Sequence, residues 1–257
     1  MSEIRKRVQN PELLKVLLYR TDSYGEPMLD KTIKKIAYTE EIANSFGFDA
    51  EVATAIVVLR DLATPCYGEI GDEFLRGIDP NYTREEYTEK LARKVLNGVE
   101  VASDAVCNGI RNVGQNKHTT PEEQIALLIQ NGSEFADSLE TKSLASLFFS
   151  RYKDYMIEKT AKTGVLTEYA IPENSMPRRE KPKISPEERA EKMKQLRLAH
   201  KYFTENINKI PGSFRDGWGD ISDEVLAAYY VVGTDDKFLA KFAKEQKSKN
   251  SDTEVEI

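Results

Sequence analysis

Apolar residues recur at three- and four-residue steps along nearly all of this 257-residue chain, and no segment alternates with the period of two that a half-buried strand requires. The pattern predicts an all-α fold. Ile33, Ile36, Ala37, Ile42, Ala43 and Phe46 mark one helical face, and Gly47 is a natural stop. Asp49 can cap a second helix through Val52, Ala55, Ile56, Val58 and Leu59, apolar nearly all round and therefore expected at the centre of a core. A buried strand is the competing reading of that short run, and the Asp cap favours the helix. Thr83 with Glu86 fits a capping box for a helix to Asn97. A further helix is expected over Ala102–Val113, with Gly114 as its stop. Thr120-Pro121-Glu122-Glu123 and Ser185-Pro186-Glu187-Glu188 each pair a cap residue with Pro and early acids, as helix starts do. Leu144–Ala161 is amphipathic, and Ser222–Glu245 reads as the last helical region, broken near Gly233. The expected organisation is a helical core over 1–165, a Pro-rich polar loop over 166–186, and a C-terminal helical region over 187–246 packing on that core. A charged tail over 247–257 is expected to be disordered.

Composition narrows the chemistry. Lys and Arg number 37 against 43 Asp and Glu, a net charge of −6 with no bulk basic footprint for nucleic acid. Apolar runs such as Ala55–Leu59 are far too short to cross a bilayer. The opening MSEIRKRVQN has no apolar stretch behind its charges, so no secretory signal is expected. Cys66 and Cys107 make no CxxC pair and no disulfide framework. A cytoplasmic, reduced protein is the expectation. Only two histidines occur, His118 and His200, which excludes a histidine-rich metal centre. His118 reads as a surface-loop residue and His200 as solvated or packed. Gly109–Gly114 lacks the spacing of a phosphate-cradling loop. The basic segment Arg178, Arg179, Lys181 and Lys183 reads as a solvated loop, and Tyr202, Phe203, Tyr229 and Tyr230 as core aromatics.

Three ordered segments carry a resemblance. Arg60-Asp61-Leu62-Ala63-Thr64-Pro65-Cys66-Tyr67-Gly68-Glu69-Ile70-Gly71-Asp72 follows the apolar helix; Lys31-Thr32-Ile33-Lys34-Lys35-Ile36 precedes it; Glu123-Gln124-Ile125 through Gln130-Asn131 comes downstream. Together with Tyr202–Asn206 and Tyr230–Phe238 they resemble the HD-domain phosphohydrolases, specifically the deoxyguanosine triphosphate triphosphohydrolase branch. That family places H-D-x-G-H-x-P-F-G-H-x-G-E in the first segment. The resemblance implies an HD-type helical core with a C-terminal helical subdomain. It also places the former metal ligands at Lys31, Arg60, Asp61 and the Gln130-Asn131 pair. Every histidine position of the main signature is replaced, by Arg60, Thr64 and Glu69.

A metal held by imidazole and carboxylate has no counterpart in this set. Lys31 and Arg60 carry no lone pair while protonated, and Gln130 and Asn131 offer neutral carbonyls. No metal and no cofactor is therefore expected. Removing a dication leaves Asp61 in need of positive charge, which Lys31 and Arg60 are placed to supply. The first reading is a structural ion pair in a pseudoenzyme that acts through a protein partner, self-association or a regulatory nucleotide. The second is a cationic pocket of Lys31, Arg60, Thr64, Tyr67 and Glu69 that receives phosphate without cleaving it. A third is a remodelled hydrolase using Asp61, Glu69 and Asp72 around Mg²⁺, and a fourth a purely structural subunit. Cys66, beside Asp61 in sequence, reads as a packed thiol, with an Arg60-activated nucleophile as the alternative.

Overall fold

The computed structural model describes residues 2–21, 26–114, 120–123, 125, 126, 129 and 183–253. Their regular elements are helices: α1 (Glu3–Val8), α2 (Pro11–Leu14) with a 3₁₀ turn at Lys15–Leu18, α3 (Met28–Phe46), α4 (Ala50–Leu62), α5 (Glu69–Ile78), α6 (Arg84–Val95), α7 (Glu100–Gly114), α8 (Pro186–Glu205), a 3₁₀ turn at Ile207–Lys209, α9 (Gly212–Arg215), α10 (Asp223–Gly233) and α11 (Asp236–Thr253). Among the described residues no strand forms; Thr21 and Pro27 make one isolated bridge. No helix among the described residues is long and apolar enough to cross a membrane. The amphipathic segment Leu144–Ala161 and the Pro-rich segment up to residue 182 lie outside the described residues.

Helix starts follow local chemistry. The Asp49 carboxylate accepts from the backbone N–H groups of Glu51 and Val52 at 3.0 and 3.1 Å, filling donors the first turn of α4 leaves open. Thr83 Oγ accepts from Glu86 N, Ser185 Oγ from Glu188 N, and Ser222 Oγ from Val225 N. At Thr120 the box is reciprocal, since Thr120 Oγ accepts from Glu123 N and the Glu123 carboxylate accepts from Thr120 N. Gly47 ends α3 at φ +72°, where a Cβ would be strained. The break between α10 and α11 falls at Thr234-Asp235, and Asp235 Oδ1 receives Phe238 N at 2.6 Å.

The chain forms two compact units, each assembled from separated segments. The described residues of the first fall within Met1–Asn10, Asp30–Asp61 and Val95–Glu180, and those of the second within Pro11–Leu29, Leu62–Lys94 and Lys181–Ile257. This interleaving replaces the consecutive division at 165 and 186. Packing explains it, because α5 lies against α8 and α10 although more than a hundred residues separate them. A second correction concerns the tail. α11 continues through Thr253, taking in residues 247–253, because no Pro or Gly interrupts the chain after Asp236.

In the first unit α4 is the central element. Ala53 through Leu59 are all buried, as the all-round apolar pattern requires. Each fully buried Ile, Val or Leu contributes roughly 1.5–3 kcal/mol of transfer free energy. Gly109 of α7 lies so close to α4 that a Cβ would collide with the Ile56 side chain. Close helix packing, not phosphate binding, accounts for that glycine.

The second unit is built on aromatics. Tyr87 stacks on Trp218 with centroids 5.8 Å apart and meets Tyr229 at 4.8 Å, while Phe203 meets Tyr230 at 4.8 Å and Phe242 at 5.6 Å. Lys94 closes one edge. Its ammonium donates to the carbonyls of Ser213, Phe214 and Asp216 at 2.7, 2.6 and 2.5 Å and sits 5.7 Å above the Trp218 ring. Burial pushes the Tyr87 hydroxyl up to about 12 and shifts Tyr67, Tyr82 and Tyr229 in the same direction. An unfolded tyrosine ionises near 10. Folded Tyr87 therefore keeps its proton while the unfolded chain loses it, and the stabilisation, complete below pH 10, is lost as pH rises toward 12. A fall on the order of 1–1.5 kcal/mol is expected by pH 11 from Tyr87 alone. Urea midpoints at pH 8 and pH 11 measure it, and equal midpoints would mean that this core is wetted.

Candidate functional site

The segment that carries the resemblance begins at the C-terminal end of α4. Asp61 is 5% exposed and lies within the first unit. Among the described residues its carboxylate has two partners, both on α3. Lys35 Nζ donates to Oδ1 and Oδ2 at 2.7 and 3.0 Å, and Thr32 Oγ donates to Oδ2 at 2.7 Å. Lys35 is itself nearly enclosed, with 13% of its side chain exposed. Thr39, one turn further on, is also buried and donates to the Lys35 carbonyl at 2.7 Å.

This geometry corrects the expected partners. Asp61 is neutralised by a cation on α3, but the cation is Lys35 and not Lys31 or Arg60. Lys31 is half-buried on the same helix. The Arg60 guanidinium reaches the Ile110 carbonyl of α7 at 3.4 Å. The reason lies in the rotation of α3. Its inward face is Thr32, Lys35, Thr39, Ile42 and Ala43, while Ile33 is 51% exposed and Ala37 is exposed. A face drawn through the apolar residues alone thus meets the buried one at Ile42 and Ala43 and misses it at Ile33 and Ala37. Thr32, Lys35 and Thr39 follow three- and four-residue steps, and a buried carboxylate opposite gives those polar groups a reason to face inward.

The other proposed pocket residues lie in the second unit. Thr64 is half-buried, and its carbonyl is used by Arg20. Tyr67 adopts φ +58°, an unusual conformation for a bulky residue. It is held there by its N–H on Asp236 Oδ1 at 3.1 Å and by its hydroxyl, which donates to Gln195 Oε1 at 2.5 Å. Glu69 is exposed at the start of α5. Asp72 is buried and committed, accepting from the Tyr82 hydroxyl at 2.7 Å and pairing with Arg84. Burial opposes the charge on Arg84, yet Asp72 outweighs it and raises the guanidinium above its ordinary value. Glu73 pairs with Arg189 of α8.

Cys66 is fully buried, its N–H donating to the Val232 carbonyl at 3.0 Å. Burial pushes its thiol well above the ordinary range, and the opposing influence of Arg20 does not reverse this. It is a packed thiol and not an activated nucleophile. His200 is buried against the edge of Phe74 at 5.5 Å, with Nε2 2.9 Å from the Glu224 carbonyl. Gln130, Asn131, His118, Arg178, Arg179 and Lys181 lie outside the described residues, and Lys183 is exposed.

The residue most conspicuously missed in the sequence is Arg20. It is 1% exposed and its guanidinium meets four main-chain carbonyls: Leu62 and Thr64 at 2.6 and 2.7 Å, Gly233 and Thr234 at 2.6 and 2.9 Å. These are the carbonyl ends of α4 and α10, where helices leave acceptors unfilled and the dipole favours a cation. Next to it, Asp236 accepts from the Thr21 hydroxyl at 2.6 Å. Nothing in the sequence around Arg20 signals this, because its acceptors are main-chain groups.

A divalent ion, implied by the resemblance, does not fit the donor set. Asp61 spends its oxygens on an ammonium and a hydroxyl, and Lys31 and Arg60 bring like charge instead of lone pairs. Among the described residues no three His, Cys, Asp or Glu side chains are grouped as a metal would need. In sequence, no family model and no curated protein matches the chain.

Proposed function

We propose that this chain is a catalytically silent relative of the HD-domain triphosphohydrolases that acts as an interaction or regulatory subunit. The observation that carries the reading is the Asp61–Lys35 pair. At the place where the resemblance puts a metal ligand, the carboxylate is neutralised from within the chain at 2.7 Å. An ammonium offers hydrogen bonds and charge but no Lewis acidity and no activated water, so the step on which the family's hydrolysis depends has no agent here. Asp72, the acid that a remodelled carboxylate site would draw on, is bound by Tyr82 and Arg84. What remains useful in such a fold is its surface and its capacity to bind.

The test is hydrolysis by the purified chain. With each of the four dNTPs and with either Mg²⁺ or Mn²⁺, release of phosphate and triphosphate is expected to stay at the buffer blank. Turnover that disappears in an Asp72→Asn variant would establish the remodelled hydrolase instead. A nucleotide that raises the melting temperature, with the shift removed by Arg60→Ala, would make the regulatory ligand a nucleotide. No thermal response to any dNTP would leave protein contact as the mode of action.

A further inference from the structure

The first unit contains a cavity of about 130 Å³ among α1, α3 and α4, lined by Arg5, Gln9, Glu40, Asn44, Glu51 and Thr54, with Val8 as an apolar wall. Its lining shares α3 and α4 with Lys31 and Arg60 but includes none of the residues of the Asp61 segment's proposed pocket. The donors on its α1 side are already spent. Arg5 Nη2 donates to Glu40 at 3.0 Å, Gln9 Nε2 donates to the same carboxylate at 2.9 Å, and Arg5 Nε donates to Gln9 Oε1 at 3.3 Å. The oxygens of Asn44, Glu51 and Thr54 on its far side are not. Thr54 is 2% exposed and its hydroxyl has no hydrogen-bond partner. Among the described residues no hydrogen bond or ion pair engages the Glu51 carboxylate or the Asn44 carboxamide.

We propose that this cavity is a binding site for a small organic cation bearing a primary ammonium group. Arg5 and Glu40 cancel, so Glu51 leaves the lining with one uncompensated negative charge. An ammonium supplies three donors and no acceptor, matching Glu51, the Asn44 carbonyl and the Thr54 hydroxyl oxygen. A buried hydroxyl left without a partner is destabilising, and a ligand donor relieves it. The volume is close to the roughly 150 Å³ that accommodates a benzene ring, so the ligand has about six heavy atoms. The Val8 wall suits a short methylene chain.

The probe is 1,4-diaminobutane, added to the full chain at constant ionic strength and followed by calorimetric titration and thermal shift. Butane-1,4-diol and succinate are the neutral and anionic isosteres. Saturable binding of the diamine, with neither isostere binding, is expected, together with at least a tenfold loss of affinity in Glu51→Gln. Thr54→Val separates a ligand role from a structural one. Removing the orphan hydroxyl should raise the melting temperature of the free protein while weakening the diamine. No saturation by 20 mM diamine, or equal binding to wild type, Glu51→Gln and Asn44→Ala, overturns the proposal. Failure here leaves the hydrolysis assay untouched, since that assay reads a different segment.

Discussion

Replacing Arg20 with methionine is expected to destabilise the chain by about 4 kcal/mol or more, read as the shift in urea unfolding of the second unit. Arg20 donates to four carbonyls at 2.6–2.9 Å from a position 1% exposed. Methionine preserves much of the volume but fills none of them. Each buried acceptor stranded in this way costs roughly 1–3 kcal/mol. The guanidinium itself is held at some expense, because burial lowers its pKa and no carboxylate among the described residues is hydrogen-bonded to it. That expense is recovered by two carbonyl clusters at helix C-termini, where each helix dipole is negative.

Lysine should restore less than half of the loss. Its ammonium is a compact charge with three donors and cannot reproduce a planar fork that spans two helix ends. Exposed Arg76, replaced in the same way, is the control and should stay within about 0.5 kcal/mol of wild type. Hydrogen exchange adds a local reading. The Cys66 N–H, bonded to the Val232 carbonyl, sits beside the carbonyls that Arg20 holds and should lose protection first. A loss below 1 kcal/mol for Arg20→Met would mean that water replaces the guanidinium without difficulty.

The helical fold was legible because its signals are local. Asp49, Thr83, Thr120 and Ser185 each sit immediately before a helix and bond to N–H groups two or three residues on. Gly47 and the Thr234-Asp235 break are equally local. The interleaving of the two units is not, since it depends on which distant helices bury which faces. The candidate site divides in the same way. Asp61 is marked by the resemblance of its segment, and its need for a cation follows from the loss of the dication that the resemblance implies. The identity of that cation did not follow, because periodicity weighs apolar residues and treats an inward lysine as a surface residue. The signal was present as Thr32, Lys35 and Thr39 on one stripe, paired with Ile33 and Ala37 on the opposite, exposed side. Arg20 leaves no comparable trace, since its hydrogen-bond acceptors among the described residues are all main-chain carbonyls.

Lys35→Met is the second substitution expected to have a large effect, about 3–5 kcal/mol of destabilisation, because it leaves the Asp61 carboxylate buried with Thr32 alone. The opposite substitution should be milder. In Asp61→Asn the ammonium that loses its partner sits on a flexible four-carbon stem whose side chain is already 13% exposed, so it can extend to water, whereas the Asp61 side chain, 7% exposed on a short stem, cannot. The double variant Lys35→Met with Asp61→Leu removes both charges and should return to within about 1 kcal/mol of wild type, since a buried ion pair is of little net benefit over a well-packed apolar pair. Chemical denaturation of the four proteins measures the cycle, and the coupling between the two positions should exceed about 2 kcal/mol. Should the double variant prove as unstable as Lys35→Met alone, the pair would not be the staple of this site and the positive charge opposite Asp61 would have to act through some other contact of Lys35.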